Sequence, residues 1–280
     1  MKPGSIQIIT TDDGSPTLYF GEYDEAMHTQ SGAYTESLIK HIYPSRILDA
    51  GGESLSVLDI GFGLGYNILA LLMEIKKCHK ARPLSVVSLE KDRSYAPFLE
   101  KIHFDDEREI YFDLVKKAFM TGEAREGPIN ISVLLGDARE TILTVQHRSF
   151  DAVFHDPFSP SKNPELWSVE YFRHILGLMK GTAVLTTYSS AAQVRMAMLD
   201  AGFIVGKGPS MGRKREGTIA SGGPIVDPLD AGELQALREN YKSTPYRDPG
   251  LRTDREDILK RRLKEMEEVR VRAYHQAHQK

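Results

Sequence analysis

From residue 56 to residue 221, short apolar segments alternate with segments whose apolar residues recur at helical spacing. The segments SVLDI, PLSVVSLE, INISVLL, SFDAVF and GTAVLTTY have the length and composition of buried strands. Strands and helices in alternation build a largely parallel sheet that is covered by helices on both faces. With GFIVGK and GTIAS as a final pair of strands, the pattern predicts an α/β fold with a mostly parallel, seven-stranded, Rossmann-like sheet.

Two segments of different character flank this region. Near the N-terminus, SIQIITTDDGSPTLYFGEY alternates apolar and polar residues around Asp13-Gly14, which predicts a β-hairpin, and helical spacing follows over 33–43. After about residue 226 the chain becomes polar and ends in a strongly charged helix. We therefore divide the chain into an N-terminal hairpin and helix extension (1–50), a main α/β domain (51–226) and a polar C-terminal extension (227–280).

Composition narrows the class of protein. The formal net charge of -3 does not indicate a nucleic-acid partner, although a local basic patch is enough to bind phosphate. The single Cys78 excludes an internal disulfide and is typical of a reducing compartment. No segment approaches the ~20 apolar residues of a membrane span, and the N-terminus lacks the apolar core of a signal peptide. We expect a cytoplasmic protein that does not associate with a membrane.

The stretch VLDIGFGLGYN (57–67) places three glycines between a strand and a helix. Glycines there allow the backbone to turn sharply and a ligand to lie against it. No Lys-Ser/Thr pair follows, as it would in a phosphate-binding P-loop. The next strand ends in Glu90, whose carboxylate can bind ribose hydroxyls. A ribose without phosphates suits S-adenosylmethionine, while a tight turn that binds no ligand is the alternative.

An acidic residue also follows the third strand. Asp137 can accept a hydrogen bond from the exocyclic amine of adenine, or it can cap the helix that begins at Ala138. The two roles do not exclude each other, and the sequence leaves both open.

The fourth strand is followed by FHDPFSPSKNPELW (154–167). Because the carboxyl ends of parallel strands share one edge of the sheet, Asp156 should face a ligand held by the glycine loop. A carboxylate there can accept an N–H from a primary amine and stabilise the ammonium formed by methyl transfer. Phe158 can offer its ring face to that cation. Alternatively, Asp156 only caps a turn and Phe158 packs.

The segments FGLGYN, HDPFSPSKNPELW and GRKRE resemble the methyltransferase domain of the MnmC-like tRNA-modifying enzymes, over roughly residues 15–222. That family methylates 5-aminomethyl-(2-thio)uridine at the tRNA wobble position to the 5-methylaminomethyl form. The resemblance implies a class I S-adenosylmethionine-dependent methyltransferase, with tRNA as partner and without a metal, in which Asp156 and Phe158 are catalytic. The implied cofactor positions are Tyr34, Asp59, Gly61, Phe62, Gly63, Gly65, Asn67, Glu90, Lys91, Asp137, Ala138 and Asp156.

The chain departs from well-known members of this family in two places. Those members carry a flavin-dependent oxidase domain after the methyltransferase, where this sequence has only about sixty residues. We therefore expect dependence on a separate enzyme for the free aminomethyl group. In the glycine loop, Leu64 and Tyr66 replace two residues of the usual family pattern, while the glycines and Asn67 are kept.

A basic cluster, GRKRE (212–216), precedes the last strand. We predict that Arg213, Lys214 and Arg215 bind tRNA phosphates and that Lys162 and Arg195 extend this patch. The alternative is an ordinary charged turn.

Two other functions are compatible with parts of the sequence. MHTQSGAYTESLIKHIYP is similar to a segment of polyamine aminopropyltransferases such as spermidine synthase, which use decarboxylated S-adenosylmethionine and a diamine. Their glycine loop reads GGGDG, whereas this loop reads GFGLG. A non-catalytic RNA-binding module is the third possibility, and the complete set of cofactor positions argues against it.

Overall fold

The computed structural model describes residues 6–21, 25–78, 82–145, 149–211 and 216–277. It contains a three-stranded and an eight-stranded sheet. The smaller sheet consists of β1 (Ile6–Thr10), β2 (Pro16–Phe20) and β3 (Glu25–Ala26). The strands of the larger sheet are β4 (Leu55–Ile60), β5 (Leu84–Glu90), β6 (Glu123–Glu126), β7 (Ile129–Leu135), β8 (Phe150–His155), β9 (Met179–Thr187), β10 (Ile204–Lys207) and β11 (Thr218–Ser221).

The larger sheet has the strand order β10-β11-β9-β8-β4-β5-β7-β6. Its five central strands, from β9 to β7, are parallel, while β6 and β11 are antiparallel to their neighbours. The predicted mostly parallel α/β fold is confirmed. The sheet has one strand more than expected, because the short, polar segment Glu123–Glu126 pairs with β7 as an edge strand.

Helices cover both faces of this sheet, as predicted. They are α1 (Ala33–Ser37), α2 (Tyr43–Ser45), α3 (Tyr66–Lys77), α4 (Ala96–Leu99), α5 (Arg108–Thr121), α6 (Ala138–Thr141), α7 (Val169–Leu178), α8 (Ala192–Ala201), α9 (Ala231–Glu239) and α10 (Arg255–Ala277). Alternate residues of the strands point to opposite faces. Val57 and Val86 therefore join the buried cluster under α3 and α5, whereas Leu58 and Val87 join the cluster under α7 and α8.

The N-terminal hairpin is confirmed, and β3 extends it to three strands. The helix expected over 33–43 is not continuous. A π-helical turn, Leu38–Ile42, separates α1 from α2. A π-turn contains an additional residue compared with an α-turn, and such turns are frequent at functional sites. Here it brings two consecutive polar residues, Lys40 and His41, into buried positions.

The order of the strands fixes where a ligand can bind. The chain runs outward from β4 through β5 to β7 and then returns to the other side of β4 as β8. Open α/β sheets bind ligands at such a reversal, outside the carboxyl ends of the strands. Within the described residues, no helix has both the length and the apolar character needed to cross a membrane.

Candidate active site

The loop between β4 and α3 is shaped by glycines with left-handed backbone conformations. Gly61, Gly63 and Gly65 have φ angles of 92°, 54° and 77°, where other L-residues are strained. A Cβ on Gly61 would lie 2.6 Å from the main-chain oxygen of Asp156, and one on Gly65 would lie 2.4 Å from a methyl of Val115. Gly61 and Gly65 therefore allow the loop to pack closely against the end of β8 and against α5.

Gly63 differs, because a Cβ at this position would not clash with the described residues. A Cβ there would meet Met27 Sδ at 3.6 Å and no closer atom of the described residues. The Gly63 N–H donates to Glu90 Oε2 at 2.9 Å, and the N–H groups of Lys91 and Asp92 donate to Glu90 Oε1. Burial raises the pKa of Glu90, although these N–H groups oppose the shift. One lone pair of Oε2 stays available for a ribose hydroxyl.

At the end of β7, Asp137 caps α6. Its side chain accepts the Arg139 N–H at 3.0 Å, and Nε and Nη2 of Arg139 donate to its two oxygens at 3.1 and 3.0 Å. Burial alone would raise the pKa of Asp137, but Arg139 holds it below its usual value. Lys91 Nζ lies 3.8 Å from the same carboxylate, and Ala138 is buried beside it. The capping role is present, and the contact with adenine stays a prediction.

The guanidinium of Arg139 also reaches the C-terminal extension. Its Nη1 donates to Asp248 Oδ2 at 2.9 Å and to the Thr253 carbonyl at 2.8 Å. Asp248 is fully buried, and it accepts two main-chain N–H groups from its own loop. The extension that looks irregular in the sequence is therefore fastened to the carboxyl end of β7 through one arginine.

The Asp-Pro-Phe segment after β8 is held by its main chain. The Asp156 N–H donates to the carbonyl that ends β4 at 2.8 Å. The Pro157 carbonyl accepts from the Tyr188 hydroxyl at 3.0 Å, and the Phe158 carbonyl accepts from Nε1 of the fully buried Trp167 at 2.9 Å. The Phe158 side chain nevertheless remains 56% exposed. A fixed backbone thus presents an aromatic ring to the outside.

Two carboxylates and an amide lie together below this segment. Asn67 Nδ2 donates to Asp156 Oδ2 at 3.2 Å and lies 3.4 Å from Asp59 Oδ1, and the Ser88 hydroxyl donates to Asp59. Asp59 is fully buried, and this burial together with the charge of Asp156 raises its pKa to about 7. Asp156 behaves oppositely: burial would raise its pKa, but nearby histidines and Asn67 lower it. One carboxylate of the pair is therefore ionised while the other tends to hold a proton.

The N-terminal extension contributes residues to this site that the sequence did not suggest. His41 Nε2 lies 3.7 Å from Asp156 Oδ2, and its Nδ1 lies 3.0 Å from the Thr186 hydroxyl. The charge of His28 also lowers the pKa of Asp156, and Met27 lies over Gly63. No local motif marks these residues, because only the tertiary fold brings the extension to the end of β8.

Two predicted cofactor residues are not placed for side-chain contact. The Phe62 ring is buried against Phe119 at 4.9 Å, so only its main chain can reach a ligand. The Tyr34 ring lies 5.6 Å from the Arg108 guanidinium, and its N–H donates to Ser15. These contacts of Tyr34 involve α5 and the hairpin turn rather than the glycine loop. Asp59 and Asn67, by contrast, belong to the site but lie beneath its surface.

The predicted basic patch is only partly described. Lys162 is exposed on the same loop as Phe158. Arg195 is buried and bonded to Glu216 and Thr218, so it cannot extend a surface patch as expected. Arg213, Lys214 and Arg215 lie outside the described residues. Among the residues that are described, no group of three or more His, Cys, Asp or Glu is placed to hold a metal ion.

Comparison with known proteins agrees with this geometry. Residues 107–222 match a family model described as an S-adenosyl-L-methionine-dependent methyltransferase. The crystal structure of MnmC2 from Aquifex aeolicus superimposes with a TM-score of 0.83 at 33% identity, over 95% of this chain and 87% of that one. The chain belongs to the MnmC-like methyltransferase family.

Two sequence relatives show how far this similarity extends. An uncharacterized protein of Methanocaldococcus jannaschii is 31% identical over 94% of this chain and 73% of its own length. The tRNA 5-methylaminomethyl-2-thiouridine biosynthesis bifunctional protein MnmC of Ralstonia nicotianae is 31% identical over 75% of this chain. The match spans only 33% of that bifunctional protein.

The described residues fit an S-adenosyl group. Of the described residues, only Met27 comes within 4 Å of a Cβ at Gly63, so the loop main chain there can be approached by a ligand. Its N–H is directed at the Glu90 carboxylate, so the loop offers a site for a ribose rather than for phosphate. The Asp137 and Lys91 side chains lie 3.8 Å apart farther along the same edge of the sheet.

Proposed function

We propose that this protein transfers a methyl group from S-adenosylmethionine to the aminomethyl nitrogen of 5-aminomethyl-(2-thio)uridine at the tRNA wobble position. The product is 5-methylaminomethyl-(2-thio)uridine. The observation that carries the proposal is the Asp156 carboxylate, about 30% exposed on a fixed backbone beside the glycine loop. The name of the bifunctional MnmC relative, a tRNA 5-methylaminomethyl-2-thiouridine biosynthesis protein, supports the same class of reaction.

Cofactor binding would depend on residues at the ends of three strands. Main-chain atoms of the loop at Gly63 would line the ligand, Glu90 would accept a ribose hydroxyl, and Asp137 with Lys91 would lie at the adenine. When bound, the cofactor supplies an electrophilic methyl group on a sulfonium. The protein then has to place a neutral amine close to that methyl group and in line with the bond that breaks.

Asp156 is suited to orient the amine. Its contacts with described residues fall on Oδ2, so Oδ1 can accept an N–H from a substrate. Its pKa is lowered, so it is ionised at neutral pH and can stabilise the ammonium product. Because its main chain is fixed at both ends of the segment, this charge does not have to reorganise during the reaction.

Phe158 and Lys162 are suited to the tRNA substrate. A wobble uridine lies in a loop, where a base can be splayed out and stacked on an aromatic ring. The exposed Phe158 ring offers such a surface next to Asp156. Lys162 follows on the same exposed loop and can approach a phosphate.

The loop that carries the basic cluster has anchored ends on the same side of the sheet. Lys40 Nζ donates to the Pro209 carbonyl at 2.6 Å, and Arg195 holds Glu216 and the Gly217 carbonyl. Gly217 lies against the end of β9, so the second of these anchors is at the carboxyl edge of the sheet. The triple variant Arg213→Ala, Lys214→Ala, Arg215→Ala should bind tRNA more weakly and with a shallower salt dependence. An unchanged slope of log affinity against log salt would mean that these residues do not contact the tRNA phosphates.

The reaction itself can be tested with purified protein, labelled S-adenosylmethionine and tRNA that carries the free aminomethyl group. Mass spectrometry of the digested nucleosides should show conversion to the methylaminomethyl form. tRNA without the aminomethyl group is the matched control and should take up no label at this nucleoside. Absence of conversion by a folded protein that binds the cofactor would contradict the proposed substrate.

A further inference from the structure

The π-helical turn before α2 places a buried histidine behind the exposed carboxylate of the site. His41 is 1% exposed, and its ring packs 5.8 Å from that of Phe154. Its Nε2 lies 3.7 Å from Asp156 Oδ2, within range of an ion pair but longer than a hydrogen bond. A buried imidazole at this distance is not explained by packing, because an apolar side chain would fill the space without a polar atom to satisfy.

The Thr186 hydroxyl lies between His41 Nδ1, 3.0 Å away, and the Val153 carbonyl, 3.4 Å away. When the hydroxyl gives its one proton to the carbonyl, it accepts from His41 Nδ1. In this arrangement Nδ1 is the N–H of the neutral ring, and the lone pair of Nε2 faces Asp156.

We propose that His41 is a positioning residue for methyl transfer, which acts through Asp156 by taking up the proton that the substrate ammonium must lose. This inference rests on the proposed function. An alkyl amine is mostly protonated near neutral pH and has no lone pair to attack with. The substrate N–H would give its proton to Asp156, whose carboxyl group would then turn to bring this proton to the His41 side. Once the 3.7 Å gap between Oδ2 and Nε2 closes to hydrogen-bond distance, the lone pair of His41 Nε2 would take up the proton. The amine is left neutral, and the total charge of the three groups is unchanged.

The other titratable groups around His41 are less suited to this role. His155 Nε2 donates to the Leu166 carbonyl at 2.9 Å, and burial lowers the pKa of His155 to about 3, so it stays neutral. Asp59 has a pKa raised to about 7 and competes for a proton, but it is fully buried behind Asn67. The charge of His28 lowers the pKa of Asp156, and Nδ1 of His28 lies 2.8 Å from the Thr17 hydroxyl.

Lys40 precedes His41 in the same turn but points elsewhere, since its Nζ donates to the Pro209 carbonyl. The ammonium group of Lys40 therefore contacts the loop that carries the basic cluster. His41 is left as the group whose Nε2 lies against the exposed carboxylate.

Two substitutions separate proton uptake from structure. His41→Gln places an amide near the position of Nε2 but cannot take up a proton, while His41→Asn keeps a donor for Thr186 and removes the group in front of Asp156. Single-turnover methyl transfer at saturating cofactor and tRNA would be followed from about pH 6 to about pH 9.5. Both variants should lose roughly 10²-fold near pH 7, the lower end of what a positioned proton acceptor contributes. The loss should shrink toward alkaline pH, where the amine becomes neutral unaided.

Cofactor affinity, measured by calorimetry, should be near that of the parent in both variants. A loss of the same size at every pH would overturn the inference, because a packing defect does not depend on the protonation of the substrate. An unchanged rate would overturn it as well. A parent protein that transfers no methyl group to tRNA would instead overturn the proposed function, and the inference with it.

Nitrogen NMR of the free protein gives a test that needs no tRNA. The inference requires Nδ1 of His41 to carry a proton, with the change in protonation confined to Nε2. Thr186→Val removes the acceptor for Nδ1 and should shift the tautomer. A parent spectrum with a bare Nδ1 and a neutral Nε2–H would contradict the inference whether or not the protein methylates tRNA.

Discussion

Asp156 and Asp137 both follow parallel strands at the same edge of the sheet, yet their surroundings differ. Asp137 is saturated: one arginine donates three hydrogen bonds to it, and Lys91 lies 3.8 Å away. Asp156 is held by one amide donor and faces an imidazole at 3.7 Å, so one of its oxygens remains available. The pKa of each is lowered, but by different means.

This difference separates a binding function from a chemical one. A carboxylate fully occupied by a guanidinium is a fixed element that orients its surroundings. A carboxylate that has an oxygen available for hydrogen bonding, and that lies next to a residue able to exchange a proton, can take part in a reaction. We therefore assign ligand positioning to the β5 and β7 side of the edge and amine chemistry to the β8 side.

The largest effect on stability is expected from replacing Arg139, which donates hydrogen bonds to Asp137 and Asp248. Arg139→Met leaves the fully buried Asp248 without its cation and removes the partner of Asp137 as well, which should lower the free energy of unfolding by about 5 kcal/mol. Arg125→Met is the matched control, because the Arg125–Glu123 pair is mostly exposed and should contribute less than about 1 kcal/mol. Urea denaturation of both variants measures the difference. Equal losses would mean that the C-terminal extension is not fastened through Arg139.

A pH-dependent effect on the free energy of unfolding is expected from Asp59, which lies beneath Asp156. The pKa of Asp59 is about 7 in the fold, above its unfolded value, so the stability that this group contributes is full below about pH 4 and lost as pH rises to about 7. The Asp59→Asn variant should not undergo this loss. Between about pH 4 and about pH 7, its free energy of unfolding should therefore rise relative to that of the parent by up to roughly 4 kcal/mol. A difference for Asp59→Asn that is constant with pH would contradict the account.

The smallest effect is expected at Gly63, in the glycine loop where we propose that the cofactor binds. Gly63→Ala adds a methyl at φ 54° in ordinary van der Waals contact with Met27. Gly127→Ala adds one at φ 53° in the β6–β7 turn, with no atom of the described residues within 4 Å. Both should cost about 1 kcal/mol of stability through backbone strain. Only Gly63→Ala should weaken the binding of S-adenosylmethionine, by about tenfold, which is 1.4 kcal/mol. Equal affinity of the two variants in calorimetry would place the cofactor elsewhere.

The same comparison explains what the sequence could predict. The strands are marked by apolar runs, and in a parallel sheet their carboxyl ends meet, so Gly63, Glu90, Asp137 and Asp156 were predicted to share one edge. The sequence left open whether Asp137 caps a helix, and the structure shows that it does. Whether Phe62 points inward could not be predicted, because a loop aromatic has no periodicity to indicate its direction.

The missed features depend on contacts between distant parts of the chain. His41 lies in a segment with helical spacing, and the π-turn that buries it leaves no pattern in one sequence. Asp248 lies in a polar, proline-containing segment, and its burial depends on Arg139, which is far away in the chain. Strand β6 is short and three of its four residues are charged, so its pairing with β7 was not evident.

The most direct test of the assignment compares Asp156→Asn and Asp137→Asn in single-turnover methyl transfer at saturating cofactor and tRNA. We predict that Asp156→Asn slows transfer by roughly 10² to 10³, as expected for one preorganised electrostatic contact, with cofactor affinity near that of the parent. Asp137→Asn should need more cofactor to saturate but should then transfer within a few-fold of the parent rate. An Asp156→Asn protein that is folded and as fast as the parent, or equal slowing in both variants, would contradict the division of the site into a chemical side and a binding side.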